Sequence, residues 1–245
     1  AVIGRDVDIG LLAAIRGESV EATEAVIARP AVSALIMKDP ERHPGKFTFR
    51  HAMLRDAAYS TLLLRQRKRL HAAVALALIE DEGLDTPRYA ATPDVIAYHC
   101  REGGLIPEAI EHLQMAAARS MSSGANAEAL AFIDQATELL DRTPPGPSRT
   151  GTSLELLTIR GPVLMARLGF AHEEVSETYS RAKTLIDELG DRVELFPVLY
   201  GLVAYSTVRC QLDTAAELSA RLRTSAEQAG DEDLTMLAHA ASAQT

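Results

Sequence analysis

One helical face is written repeatedly along the second half of this chain, and that repetition restricts the available folds more than any other feature. Small or apolar residues recur at i, i+4 and i+7 in Ala109/Leu113/Ala116, Ala129/Ile133/Ala136 and Val175/Tyr179/Ala182, and closely so in Ala215/Leu218-Ser219/Leu222. This spacing lines one side of an α-helix. The last two sets run into Gly190-Asp191 and Gly230-Asp231, where Gly suits a left-handed helix end and Asp caps the next start. Thr92-Pro93, Thr152-Ser153-Leu154-Glu155 and Asp191-Arg192-Val193-Glu194 add further helix-start patterns. The expected fold is therefore mainly α: tandem antiparallel helical hairpins, a tetratricopeptide-like α-solenoid, over 92–245.

Within that array, Leu195 to Val208 is apolar nearly all round and is expected between neighbouring helices, whereas Glu173 to Leu189 is amphipathic and keeps a solvent face. Glu177 and Arg181 fall on that polar face and are candidate partner contacts. A Pro/Gly/Ser-rich stretch at 143–153 is expected to interrupt the array as a linker. The composition agrees with close-packed helices, because aromatic residues are only 4% of the chain and Trp is absent, leaving Ala, Leu, Val and Ile to build the core.

The first 50 residues read differently. Two short helical patterns, Val7 to Ile15 and Ser19 to Ala28, precede Leu35-Ile36-Met37 and Lys46-Phe47-Thr48-Phe49-Arg50, which flank a Pro-containing loop. Phe47 and Phe49 share one face of a strand by the period of two, so a hairpin or wing is expected. Residues 1–50 are read as a winged-helix-like segment whose first helix is largely missing, and 51–91 as a helical connector. The chain begins without Met and stops inside a helical pattern, so both ends are expected to be cuts in a longer protein.

A net charge of −9 disfavours a general nucleic-acid binder, and Glu18, Glu21 and Glu24 place acid in or beside the second short helix. The two cysteines, Cys100 and Cys210, give neither a disulfide framework nor a metal site, and a reducing cytoplasm is expected. No apolar run is long enough to span a membrane.

The run Phe47-Thr48-Phe49-Arg50-His51-Ala52-Met53-Leu54-Arg55-Asp56-Ala57-Ala58-Tyr59, continuing through Leu62-Leu63 to Arg69-Leu70-His71, resembles the segment that follows the ATPase module in STAND-type bacterial regulatory ATPases. Ala1-Val2-Ile3-Gly4-Arg5 is similar to the start of their winged-helix region. Ile96-Ala97-Tyr98-His99, Glu102-Gly103-Gly104 and Glu108-Ala109-Ile110 are similar to their first helical hairpin. Some of these relatives carry a class III nucleotidyl cyclase domain and others a LuxR-type DNA-binding domain. The resemblance implies a parent that uses ATP and Mg; Arg50, His51 and Arg55 are candidate nucleotide or interdomain contacts, with surface packing as the plain alternative. The sequence departs from the family at Pro30, at Pro162 beside Gly161, and at Cys210, which stands where a tight-turn Gly is usual.

The chemistry of such a parent is not written in these residues. A phosphate-binding loop needs G-x-x-x-x-G-K-[ST], and Gly45-Lys46 is followed by Phe47 with no matching Gly before it. No cofactor is expected in this chain, and a non-catalytic role through contacts with proteins or other domains of its own parent is expected. The basic set Arg65, Arg67, Lys68 and Arg69 is a candidate partner surface whose plain alternative is a solvated helix end. His99 beside Cys100 does not make a metal pair, since helix neighbours point about 100° apart, and Glu108/His112 at i and i+4 reads as an ordinary surface pair.

Overall fold

The computed structural model describes residues 1–38, 45–89, 91–189 and 196–243. Most of the Pro-containing loop at 38–45, the Gly190-Asp191 turn, the Asp191–Glu194 capping pattern and Leu195 lie outside the described residues. The chain forms two compact units, Ala1–His112 and Leu113–Thr245.

Unit 1 opens with strand β1 (Asp6–Asp8), helices α1 (Ile9–Arg16), α2 (Val20–Ile27) and α3 (Pro30–Ser33), and strands β2 (Ile36–Lys38) and β3 (Lys46–Phe49). The strands form an antiparallel sheet in the order β1-β3-β2. Phe47 and Phe49 both point inward, packing with Val7, Ile9, Ile27 and Ile36. The expected helix from Val7 instead starts at Ile9: Asp8 ends β1 and caps α1, its carboxylate accepting from the Gly10 and Leu11 N–H groups at 2.8 and 3.2 Å. Pro30 does not truncate α2, which ends at Ile27, but occupies the first turn of the four-residue α3.

The remainder of unit 1 is helical: α4 (Ala52–Ser60), α5 (Leu64–Glu82), α6 (Pro93–Gly103) and the start of α7 (Ile106–Ser122). The stretch 51–91 lies within this unit, with α5 against α1 and α6 and Val74, Ala75 and Leu78 buried. Gly103 permits the α5–α6 approach, since a Cβ there would sit 2.7 Å from the Ala72 nitrogen.

Unit 2 contains α8 (Asn126–Asp141), α9 (Pro147–Leu168), α10 (Glu173–Leu189), α11 (Phe196–Val208), α12 (Leu212–Ala229) and α13 (Glu232–Ser242). Consecutive helices pack tightly in α8/α9, α9/α10, α11/α12 and α12/α13, and α11 also touches α9 and α13. Ion pairs Asp134–Arg160 and Asp141–Arg149 join α8 to the α9 side; the partner moves backward along α9 as α8 advances, so these two helices are antiparallel. The apolar face predicted from the repeat is the buried one: Ala129, Ile133, Ala136, Val175, Tyr179, Ala182, Ala215, Leu218 and Leu222 are all buried. Gly230 takes φ 65° at the end of α12, and Asp231 caps α13 by accepting from Asp233 and Leu234 N–H.

Two expectations about α9 need correcting. The stretch 143–153 is not a linker throughout: Pro147 enters at the start of α9, where its missing N–H is harmless, and only 143–146 lie outside helix. Thr152 to Glu155 consequently sit inside α9 and start no helix. Further along α9, which runs through Pro162, Gly161 is a contact surface. A Cβ on it would lie 2.6 Å from the Tyr179 ring, and Tyr179 in turn stacks on Tyr205 at a 4.3 Å centroid distance and 11°.

Candidate functional site

Two clefts of different character stand out, one within each unit. In unit 2, α8, α9 and α10 enclose a cleft of about 490 Å³. Asp134, Glu138 and Asp141 come from α8, Arg160 from α9, and Glu174, Glu177 and Arg181 from α10. The amphipathic pattern of α10 explains this placement: Val175, Tyr179, Ala182 and Ile186 turn into the core, which leaves Glu177 and Arg181 exposed on the other side. Both α10 residues singled out from sequence therefore line the same cleft. Its carboxylates on α8 are met by arginines, in Asp134–Arg160, Glu138–Arg142 and Asp141–Arg149, so the wall alternates in sign.

In unit 1, Arg55, Asp56, Tyr59, Asp94, Tyr98 and His99 line a cleft of about 560 Å³ together with the first residues of the chain. Its inner wall leads into a hydrogen-bond chain that runs from half-buried Tyr59 to the buried His71 and His99. Tyr59 Oη lies 3.0 Å from His71 Nε2, and His71 Nδ1 lies 3.0 Å from His99 Nδ1. Two proton arrangements satisfy it. Either His71 Nδ1–H donates to His99 and the tyrosine hydroxyl donates to His71 Nε2, or His99 Nδ1–H donates to His71, whose Nε2–H donates to the tyrosine oxygen. Burial pushes the His99 pKa down to about 4, with neighbouring His71 a second cause. Burial also lowers His71, against the opposing pull of Glu102. The lowered values make both rings neutral near pH 7, the state that either arrangement describes.

The candidates from the Arg50 to Arg69 run separate in space. Arg55 lines the cleft and pairs with Asp56 at 2.5 Å. Arg50 is exposed and its Nε donates to the Ser33 carbonyl at 3.4 Å, while His51 is exposed at the start of α4 without a side-chain cap bond. Arg67 is engaged internally. Its guanidinium donates to the Leu62 and Ser60 carbonyls, satisfying acceptors at the end of α4, and lies 4.7 Å from the Tyr59 ring centroid. Lys68 lies along Gly104, the left-handed residue that ends α6. Arg65 and Arg69 remain exposed.

His112 corrects the reading of a surface pair. It is 4% exposed, and its partners are the Glu108 backbone carbonyl at 2.8 Å and Glu82 Oε2 at 3.1 Å; Glu108 contributes its main chain, not its carboxylate. Asp81 is a second buried polar group. Burial would raise its carboxyl, but hydrogen bonds from the Tyr89 N–H at 2.7 Å and the Arg88 guanidinium at 2.9 Å outweigh that and hold it below the ordinary carboxylate range. Cys100, pushed up to about 11 by burial, is a protonated core thiol.

These features define a mainly helical protein of tightly packed consecutive helix pairs, and among the described residues no helix is long and apolar enough to cross a membrane. The chain is similar to an uncharacterized protein of Rhizobium meliloti (strain 1021), 27% identical over an alignment of 166 residues that covers 65% of this chain and 16% of that protein. It thus spans a small share of that relative's length. No family model and no solved structure matches it.

Proposed function

We propose that this chain is a non-catalytic interaction and regulatory module of a larger STAND-type signalling ATPase, a winged-helix-like segment followed by a tetratricopeptide-like array that holds a peptide or another domain of its parent. The observation that carries this reading is the cleft over α9, walled by charged side chains of α8 and α10. Exposed charges on rigid helices make a contact surface without constraining the core beneath them. The contacts of α11 with both α9 and α13 support a stacked array, because stacking brings alternate helices together. The three-stranded sheet ordered β1-β3-β2, with three helices between its first and second strands, supports the winged-helix reading. Exposed Glu18, Glu21 and Glu24 on and beside α2 argue for a protein-facing rather than a DNA-facing role.

In the parent, ATP and Mg would be held by the ATPase module, whose nucleotide state this chain would relay to an output domain. The test is selection of peptides from a random display library on the purified chain. Selected binders should lose affinity on Glu177→Ala or Arg181→Ala while the protein's stability changes by about 0.5 kcal/mol or less. Binders indifferent to both substitutions would remove the cleft from the reading. Saturable ATP turnover that co-purifies with the chain through successive columns would remove its non-catalytic character.

A further inference from the structure

The small sheet of unit 1 buries one face and leaves a crevice on the other. Val7 and Phe47 pair across β1 and β3 and are buried, so the period of two turns Asp6 and Asp8 of β1, and Lys46 of β3, to the opposite side. There they meet Leu11 of α1, Val74 and Leu78 of α5, and Val95 of α6 around a crevice of about 180 Å³. Leu11, Val74 and Leu78 are buried and make its floor apolar. The rim carries both signs. Asp8 spends only Oδ1 on the α1 cap, and its Oδ2 has no hydrogen-bond partner among the described residues. Lys46, its cross-strand neighbour, makes no hydrogen bond or ion pair among the described residues. Arg88 gives its Nε to Asp81 and keeps its terminal nitrogens unengaged among those residues. His99, 3% exposed, also lines the crevice, and its Nε2 has no partner among them.

We propose that this crevice binds a free aliphatic amino acid, its carboxylate on Lys46, its ammonium on Asp8 and its side chain over Leu11, Val74 and Leu78. Size sets the upper limit. Sites for drug-sized ligands occupy about 300–1,000 Å³, so a nucleotide or a peptide segment overfills one of about 180 Å³. The rim disfavours a ligand of one sign. Asp8 and Lys46 stand opposite each other on neighbouring strands, with Cα atoms within about 5.5 Å. A simple anion drawn to Lys46 is therefore repelled by Asp8 and Asp6, and a simple cation drawn to Asp8 is repelled by Lys46 and Arg88. A zwitterion gives each charge its counterpart, and the apolar floor separates an aliphatic amino acid from glycine. In the proton arrangement in which His71 donates to His99, His99 Nε2 carries a hydrogen and adds a donor at the crevice. The crevice lies in unit 1 and shares no residue with the α8–α10 cleft, so either proposal can fail without the other.

The experiment is calorimetric titration of the whole chain with L-leucine. Each comparison probe removes one feature: 4-methylpentanoate lacks the ammonium, 3-methylbutylamine lacks the carboxylate and glycine lacks the side chain. Saturable binding of leucine is expected, with every comparison probe weaker by about tenfold or more. Lys46→Gln and Asp8→Asn should each weaken leucine by about tenfold, and an asparagine side chain still caps α1. Thermal melts check that both variants fold as the original does; one that fails is replaced by Lys46→Met or by Asp8→Ser, since serine also caps helices. The ring resonances of His99, which lines the crevice, should move as leucine is added. Absent leucine binding, equal binding of 4-methylpentanoate, 3-methylbutylamine or glycine, or unchanged leucine affinity in the folded variants would each overturn the proposal.

Discussion

Around α5 and α6 of unit 1, the core closes over two imidazoles and an aspartate, each with a partner. Between α9 and α12 of unit 2, it closes over Leu, Val and Ala, with Tyr179 stacked on Tyr205 and both hydroxyls buried without a hydrogen-bond partner among the described residues. The difference lies in what fixes each arrangement. A directional hydrogen-bond chain specifies one geometry and titrates, whereas apolar packing is indifferent to protons and sensitive to volume. Unit 1 should therefore respond most distinctively to pH, and unit 2 to the size of its buried side chains.

The largest effect is expected from emptying the centre of unit 2. Leu199 is wholly buried and Leu202 nearly so; replacing either with Ala should cost about 2–5 kcal/mol, measured by chemical denaturation. Since α11 touches α9, α12 and α13, hydrogen exchange should rise in those helices as well. An equal loss from Glu177→Ala would break the contrast between core and cleft. Filling space should matter nearly as much: Gly161→Ala drives a methyl into the Tyr179 ring and should cost about 1–3 kcal/mol. A Tyr179→Leu background that relieves this loss would locate the clash.

Acidification sharpens the comparison from the other side. His99 and His71 have lowered pKa values in the folded state, so below the ordinary histidine value of about 6.5 the unfolded chain binds more protons than the folded one. Unit 1 should lose stability as pH falls from about 6.5 towards the folded His99 value of about 4. The histidines described in unit 2, His172 and His239, are exposed. Hydrogen exchange across that range should show earlier opening of α5 and α6 than of α11 and α12, and His99→Gln should flatten the trend in unit 1. A uniform response of both units would defeat the distinction. The smallest effect concerns Cys210, an exposed residue held at φ 56° between α11 and α12. Cys210→Gly should raise stability by no more than about 1 kcal/mol, because relief of left-handed strain is partly offset by the freer unfolded chain.

The buried face of unit 2 was legible because helical period alone assigns it: one stripe must find apolar neighbours, and Val175, Tyr179 and Ala182 did. Glu177 and Arg181 were legible as exposed for the same reason. The hairpin strands at 36–38 and 46–49 followed from Phe47 and Phe49 alternating. β1 was missed because three residues, Asp6 to Asp8, are too short to show a period and become a strand only by pairing with β3. His71 carried no local signal of its burial. Its partners are 12 residues before it and 28 after it, beyond the reach of any helical spacing.

The sequence by itself determined that this chain is mainly helical, which face of each repeat helix turns inward, and where Gly230 and Asp231 divide two helices, because each depends on neighbours within a turn or two. Only the tertiary structure decided that Arg67 is spent on α4 carbonyls while Arg65 and Arg69 stay exposed, that His112 is a core residue bound to Glu82, and that Tyr59, His71 and His99 form one chain. Those outcomes depend on which distant elements meet, and a buried polar group keeps its place only where such a meeting supplies the hydrogen bond that water no longer can.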